Sequence, residues 1–554
     1  IRSFGVSSLT DLLAELGPQT ASGGGGPPVV LLDGRRTSSR NEIRDIPTEA
    51  IQRVEILPED VALKYGYRAD QRVVNIVLRR RFNAVTGEVT AAMPTAGGQF
   101  SPGANVSLLR LRNGTRLNLA LDYKHSSALY ESERGVISAT ARQPYDIVGN
   151  IAAARLGDEI DADLSTLLGR AATVIGVPAG AATGIPTLAD FAAVNGVNTS
   201  DLSPYRTLRP ETDTLSLNAV YSRAIGTVAA TANGTLSYSD SDSAQGLARA
   251  RLSLPAVSPY SPFAGDTVLY RYLSEGGALG QNSRSIDGHL GLAFNGALSG
   301  WQWSLTGNYD RSHSRTRTES GFDLAEAQAR LDALDPLFNP YGPLALGDPL
   351  LDRARSTVST TDVEAVVNGA LFQLPAGAVS ATIKAGGALS DFESSSVRSG
   401  IAAAARLSRD IAKGQASLDL PIASARRAVL PALGDLSVNV NFGYDQLSDF
   451  GGLKTFGYGL RWTPIKPVRI MLSVTEDEGA PTVQQLGNPT VLTLGARVFD
   501  YVRGETVDIT RLSGGNPALD ADDRRRVRLG VTVKPLTSTD LTFTANYKIG
   551  RAHV

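Results

Sequence analysis

The chain has 554 residues, with 54 Lys and Arg against 55 Asp and Glu, 4 His and no Cys. Balanced charge argues against a nucleic-acid-binding protein, which carries a basic excess, and the lack of Cys removes disulfides, thiolate metal sites and cysteine nucleophiles together. No run approaches the roughly eighteen consecutive apolar residues of a transmembrane helix, and the mean hydropathy of −0.07 would suggest a soluble protein, an inference that a β-barrel defeats because only alternate residues of its strands face lipid.

In chain order, Ser8–Leu16 reads as a short amphipathic helix with Leu9, Leu12, Leu13 and Leu16 on one face. Ser8 can cap it with Asp11 at the third position, and Gly17-Pro18 ends it. Thr20–Pro28 is a Gly-rich loop. Its Gly23–Gly26 run lacks the following Lys-Ser/Thr of a phosphate cradle, and Pro27-Pro28 blocks a helix start. Three short apolar or β-branched runs follow, Val29–Leu32, Arg53–Leu57 and Val73–Leu78, each predicted to be a strand. Asp33-Gly34 closes the first with a turn, while Thr48–Ile51 and Asp60–Leu63 are short helical or turn pieces. The stretch 29–81 is therefore a small mixed α/β unit.

From about Asn83 the apolar period becomes two and stays there. Leu117, Leu119, Leu121 and Tyr123 alternate with Arg116, Asn118, Ala120, Asp122 and Lys124; Trp301, Trp303, Leu305 and Tyr309 alternate with Gln302, Ser304, Thr306, Asn308 and Asp310; Leu436, Val438, Val440 and Phe442 alternate with Ser437, Asn439, Asn441 and Gly443. Similar runs lie at Thr214–Tyr221, Ile286–Phe294, Phe456–Trp462, Val468–Val474, Arg526–Val533 and Leu541–Tyr547. Runs of roughly ten residues with one apolar face and one charged or amide-rich face fit tilted membrane strands around a wet lumen. A soluble β-sandwich alternates in the same way, so the connections matter. Short turns at Asn113-Gly114, Ala224–Gly226, Leu298–Gly300, Leu374–Gly377, Pro464–Pro467 and Leu536–Thr539 tend to alternate with long links at about 128–210, 242–282, 317–353 and 478–522, as in outer-membrane barrels. The leucines, Val438 and Val440 are expected to face outward, and Arg116, Asn118, Asn439 and Asn441 inward. Trp301, Trp303 and Trp462 lie near short turns in the outward register, where an interfacial girdle belongs.

Reactive chemistry is sparse. His125, His289, His313 and His553 are far apart and show no metal-ligand spacing, so neither a metal site nor a catalytic set is expected; His289, between Gly288 and Leu290, belongs to the inward register. Asp449-Phe450-Gly451 matches a kinase tripeptide without any accompanying motif and reads as a surface loop. Asp520–Asp523 lacks the glycine and terminal Glu of a helix–loop–helix calcium site, and the adjacent Arg524–Arg526 reads as an ion-paired strand start.

The ordered set of a strand closed by Asp33-Gly34, then Arg53-Val54-Glu55-Ile56-Leu57, then Tyr65-Gly66, then Val73-Val74-Asn75-Ile76-Val77 is similar to the plug domain of TonB-dependent outer-membrane receptors. Further on, Ala480-Pro481-Thr482 with its flanks and Gly514-Gly515-Asn516-Pro517-Ala518-Leu519 resemble segments of that family's barrel. Two departures matter. Pro58-Glu59-Asp60 stands where the family often has Arg-Gly-Pro, and Ala69-Asp70-Gln71-Arg72 where it often has small residues and Gly-Gly, so its plug–barrel ion pairs are not carried over at those positions.

The resemblance implies a mainly β protein: a transmembrane antiparallel β-barrel, about 15 strands present of about 22 expected, with a small N-terminal α/β plug. Residues 1–82 are read as a partial plug seated in the lumen, 83–548 as a partial barrel, and 549–554 as a non-native tail, the chain being cut at both ends and leaving the first and last strands unpaired. The plug-motif residues are Asp33, Gly34, Arg53, Glu55, Tyr65, Gly66 and Asn75. The implied function is active uptake of a scarce small-molecule ligand (an iron chelate, cobalamin, a saccharide or a peptide) across the outer membrane of a Gram-negative bacterium. The implied partners are outer-membrane lipid and a TonB-type energy-transducing protein whose contact segment lies outside this chain. No nucleic acid, no cofactor and no enzymatic activity are implied. The alternative is a passive porin-like or adhesive barrel, against which the mixed α/β unit speaks.

Overall fold

A computed structural model describes residues 9–17, 28–57, 61–67, 72–136, 144–536, 541 and 543–553. The Gly-rich loop, Ser8, Pro58–Asp60 and Ala69–Gln71 lie outside the described residues.

The small unit is a four-stranded sheet of β1 (Val29–Leu32), β2 (Arg35–Arg36), β3 (Ile51–Leu57) and β4 (Val73–Leu78), in the order β2-β1-β4-β3. Asp33 and Gly34 join β1 to β2 with positive φ at both residues, 50° and 73°, the geometry of a tight two-residue hairpin turn. Strands β1 and β4 pair in parallel and are apolar along their length, save Asn75 in β4, because both faces are covered. The helix Leu9–Glu15 lays Leu9 and Leu12 against Val30, Leu32, Val74 and Ile76 on one face. Ala62, Tyr65 and Tyr67 cover Val29, Leu31 and Val73 on the other. Leu109 and Leu111, which belong to the large sheet, complete the first of these clusters.

The large sheet begins with β5 (Arg81–Ala92), β6 (Ser101–Arg112) and β7 (Thr115–Ser126). A long excursion follows, carrying β8 (Leu129–Tyr130), β9 (Asn150–Ala153), β10 (Val174–Gly176) and β11 (Thr207–Arg209). The wall then resumes with β12 (Glu211–Ile225), β13 (Val228–Leu254), β14 (Thr267–Leu298), β15 (Trp301–Gly321), β16 (Leu350–Leu374), β17 (Gly377–Arg398), β18 (Ile401–Ala423), β19 (Asp435–Leu447), β20 (Gly451–Ile465) and β21 (Val468–Gly479). A second excursion holds the hairpin of β22 (Val491–Asp500) and β23 (Glu505–Ser513) before β24 (Asp522–Val533) and β25 (Phe543–His553). The large strands β5–β7, β12–β21, β24 and β25 follow one another as antiparallel neighbours, β7 meeting β12 and β21 meeting β24 across the two excursions. Their order is that of a barrel, which brings β25 round to β5. Among the described residues no residue-by-residue ladder joins that last pair, and both strands are exposed on both faces, Val89 to 85%. The β24–β25 ladder continues past the expected Lys548 through Gly550, Arg551 and Ala552.

Burial in the wall is inside out. On β7, Asn118 is 1% exposed while Leu121 is 47% exposed; Arg116 is buried beside Asn118, and Leu119 is exposed beside Leu121. On β19, Asn439 and Asn441 are buried and Val440 is exposed, with Leu436 and Val438 half-buried. An antiparallel wall that hides amides and shows leucines is built for hydrocarbon outside and polar contents inside. No helix among the described residues is long and apolar enough to cross a membrane, a statement that leaves strand spans untouched.

Two of the expected long links are shorter than the sequence suggests, because β13, β14, β15 and β16 run far past the membrane-length segment and leave only 255–266 and 322–349 as loops. A register shift at Ala244–Leu247 explains why this escaped the alternation pattern. Below it Ala229, Thr231 and Asn233 are buried; above it Ala248, Ala250, Leu252 and Leu254 are. One extra residue exchanges the two faces of a strand, so the apolar side turns from the outside to the inside. There it packs under Ile160, Leu164, Phe191, Phe263 and Tyr341 from the long loops, the largest apolar cluster among the described residues.

Candidate functional site

The side chains that meet inside the wall come from the small unit and from inward positions of the strands. Within the unit, the Gly34 N–H donates to Asn75 Oδ1 at 2.8 Å, Asn75 Nδ2 donates to Glu55 at 2.7 Å, and Arg53 Nε reaches the other Glu55 oxygen at 2.6 Å. The Tyr65 hydroxyl donates to the Gly34 carbonyl at 3.3 Å, and Asp33 accepts from the Leu78 N–H at 2.9 Å. Asp33, Gly34, Arg53, Glu55, Tyr65 and Asn75 thus tie the turn to all the long strands of the unit. Gly66, with φ of 73°, sits where a Cβ would come within 2.9 Å of Val366 on β16, so it lets the unit approach the wall closely.

Side chains from several wall strands hold the unit. Arg116 on β7 donates to the Glu42 carboxylate at 2.7 Å and to the Glu42 carbonyl at 2.9 Å, with both side chains buried. Burial pushes the Glu42 carboxyl above its usual range, against the pull of Arg116 and the Ser38 N–H. Arg36 donates to Glu364 on β16 at 2.5 Å, and Lys384 on β17 binds the other Glu364 oxygen at 2.6 Å. Arg36 also lies over the Tyr67 ring, 4.7 Å from its centre. Asn218 donates to Asp45 at 2.6 Å, Asn233 to Ser38 at 2.5 Å, and Asn295 to the Arg36 carbonyl at 3.1 Å. His289 faces inward, Nε2 to Asn233 at 3.0 Å and Nδ1 to Asp310 at 2.7 Å. Glu42, Asn218, Glu364 and Lys384 were not singled out from the sequence. For Asn218, Glu364 and Lys384 the signal was there, a polar residue in the inward phase of a strand, but nothing in the chain said which of many such residues would face the unit; Glu42 sits in the short turn Arg40–Glu42, where no periodicity marks it. A cavity of about 1160 Å³ between unit and wall on the short-turn side is lined by Arg35, Arg36, Arg53, Arg79, Arg80 and Arg81.

At the opposite end the hairpin β22–β23 is tied to the long excursion 127–210. Asp508 accepts from Arg206 at 2.6 Å and from Arg497 at 3.3 Å, and Arg497 reaches Glu131 at 3.4 Å. Burial pushes the Glu131 carboxyl up, against Arg497 and then Arg206. Gln245 and Gln281, on β13 and β14, bind the backbone of Leu494 and Leu492 at 3.0 Å. The two barrel segments noted in the sequence also meet: Thr482 caps the helix Val483–Gly487, Gly515 N–H donates to the Asn488 carbonyl and Asn516 N–H to the Gln485 carbonyl, both at 2.8 Å.

Elsewhere the register brings together residues that sequence spacing kept apart. His125 lies opposite Asp213, and with Glu211 they present ligand atoms within 4.8 Å of one another. No metal set was expected because β7 and β12 are separated by more than eighty residues. Asp213 already accepts from the Tyr123 hydroxyl at 2.7 Å and contacts His125 at 3.1 Å. Asp449 of the kinase-like tripeptide is the carboxylate partner of Arg409 at 2.7 Å in a turn. Arg525 and Arg526 pair with Glu476 and Asp477.

No family model matches the chain, and no curated protein matches it either. Among solved structures it is similar to the siderophore receptor PirA from Pseudomonas aeruginosa, at 14% identity and a TM-score of 0.48, covering 98% of this chain and 71% of that one. It is also similar to PirA from Acinetobacter baumannii, at 14% identity and a TM-score of 0.44, covering 94% and 67%. Against the RagAB peptide importer in its closed-closed state the identity is 10% and the TM-score 0.44, covering 92% of this chain and 59% of that one.

Proposed function

We propose that this chain is the plug-bearing body of a TonB-dependent outer-membrane importer rather than an enzyme or an open pore. The observation that carries the reading is the buried seat of the small unit on the inward face of an inside-out wall: Arg116 on Glu42, and Arg36 and Lys384 on Glu364. A porin-like channel has no use for a folded α/β unit held across its lumen by buried charge. An importer needs one, because a wide barrel left open would leak small solutes. Asp33, Gly34, Arg53, Glu55, Tyr65, Gly66 and Asn75 are then the rigid frame of the plug. The linked outer loops are the ligand-gathering side, and a periplasmic energy-transducing partner acts from the short-turn side.

The test uses the lack of cysteines in this chain, with any cysteine elsewhere in the reading frame replaced by serine. In cells making the full reading frame, Ser38→Cys with Asn233→Cys should tether unit to wall. Energised uptake of one of an iron chelate, cobalamin, a saccharide or a peptide should stop on oxidation and return on reduction. Uptake that ignores the tether, or passive leak of all solutes in the untethered protein, would sink the reading.

A further inference from the structure

The outward face of β14, β15 and β16 changes character along its length. At the short-turn end it is apolar: Trp301 and Trp303 are followed by Leu305 and Tyr309 on β15, with Leu290 and Leu292 on β14 and Val363 and Val367 on β16 in the same phase. Two mixed rows follow, Gly288 with Arg311 and Ser359, then Ile286 with His313 and Thr357, and beyond them the same phase holds arginine on all three strands. Arg315 has Arg284 as its direct partner on one side and Arg355 on the other. In the next outward-facing row Arg317 stands between Asn282 and Arg353. All five arginines are exposed, while the alternate residues Asp352 and Ala354 are buried.

Direct cross-strand neighbours lie about 5 Å apart and successive same-face rows about 7 Å apart, and like charges placed opposite one another destabilise a sheet. The surrounding carboxylates do not cancel this patch. Asp240 accepts from Arg284 at 2.8 Å, and Glu393 on β17 is taken by Arg406 at 3.0 Å. The side chains of Arg315, Arg317, Arg353 and Arg355 make no hydrogen bond or ion pair among the described residues. Four uncompensated guanidinium groups, stacked on the outside of a wall on the long-loop side of its apolar belt, call for anions supplied from outside the chain.

We propose that Arg315, Arg317, Arg353 and Arg355, flanked by Arg284, form a docking surface for the phosphate-bearing headgroups of an anionic lipid leaflet on the long-loop side. The proposal rests on the membrane reading above. Guanidinium matches phosphate through paired N–H donors. The patch lies on the long-loop side of the apolar belt, past the mixed rows of Arg311 and His313, the side on which headgroup phosphates stand beside a spanning wall. Anchoring there would fix the height of this sector of the barrel, the sector whose strands rise furthest above the membrane.

The test places the full chain in phosphatidylcholine nanodiscs containing one-fifth phosphatidic acid and measures the lipid retained by native mass spectrometry. Wild type should enrich phosphatidic acid. Since each basic residue near an anionic surface contributes about 1 kcal/mol, R315Q/R317Q/R353Q/R355Q should lose at least about tenfold of that enrichment. Arg525→Gln, which removes an arginine already paired with Glu476, should keep it. Raising salt on the wild type should reproduce the loss without any mutation, and inorganic phosphate should compete no better than chloride at equal ionic strength. Equal enrichment in the quadruple variant, or indifference to salt, would overturn the proposal, as would displacement by free phosphate alone. Failure to enter the bilayer at all would overturn the membrane reading and this surface with it; insertion without lipid preference would overturn only the surface.

Discussion

The small unit and the wall that surrounds it solve the burial problem in opposite directions. In the unit Leu31, Ile76 and Val74 are sealed from solvent, and the buried charges Arg36 and Glu42 lie at its seam with the wall. In the wall Asn118, Asn218 and Asn441 are sealed and Leu290 is 63% exposed. The same chain therefore uses apolar area as a core in one region and as an outer coat in the other. The hydrophobic effect stabilises the first in water, whereas the second needs hydrocarbon to be favourable. The seam between the two is polar, which is why it depends on paired charges.

That contrast makes its sharpest test at the seam. Glu42→Ala leaves Arg116 buried without its carboxylate, and breaking a buried pair from one side costs about 3–5 kcal/mol. Hydrogen exchange of the β4 amides should accelerate accordingly, and replacing both residues by Met and Leu should restore most of the protection. If Glu42→Ala left β4 exchange unchanged, the unit would not be held by this pair.

Next in size, Ile76→Ala should destabilise the unit by about 2–5 kcal/mol, the cost of a large-to-small change in a packed core. Leu290→Ala, in the wall, should change detergent stability by less than about 0.5 kcal/mol because an exposed side chain leaves no cavity. Equal effects at the two sites would erase the distinction between core and coat. Asn75→Ala removes the bridge between Gly34 and Glu55 and should cost about 1–3 kcal/mol through the unsatisfied partners, read again by exchange in β1 and β4.

The smallest expected effect lies in the outer loops. Asp335 is held below the usual carboxylate range, first by the Leu337 N–H and then by Arg330. A carboxyl depressed by folding stabilises the loop above its unfolded pKa and loses that contribution as pH falls through the folded value. Protection factors in the 322–349 loop, taken relative to the intrinsic exchange rate at each pH, should therefore fall in acid, and Asp335→Asn should remove that pH dependence while leaving the barrel strands unaffected.

Strand and turn positions were legible along most of the chain because a strand has period two and each apolar–polar alternation reports its own phase. The helix face Leu9, Leu12 and Leu16, the Asp33-Gly34 hairpin and the outward phase of Leu119, Leu121 and Val440 all follow from spacing between residues close in sequence. The grouping of Asp33, Gly34, Arg53, Glu55, Tyr65 and Asn75 was reached by resemblance; their hydrogen bonds explain why such residues occur together. Other features could not be read locally. The bulge at Ala244–Leu247 reverses the faces of β13, so its upper apolar residues looked like loop. Glu364 reaches Arg36 across 328 positions and Asp508 reaches Arg206 across 302, separations over which no local pattern constrains a partner. Alternation determined which side of each strand is apolar. Only the tertiary structure decided which inward polar residue meets which, because that depends on strand register and on where the small unit sits, and the arginine row of β14, β15 and β16 exists only once three separate strands are aligned.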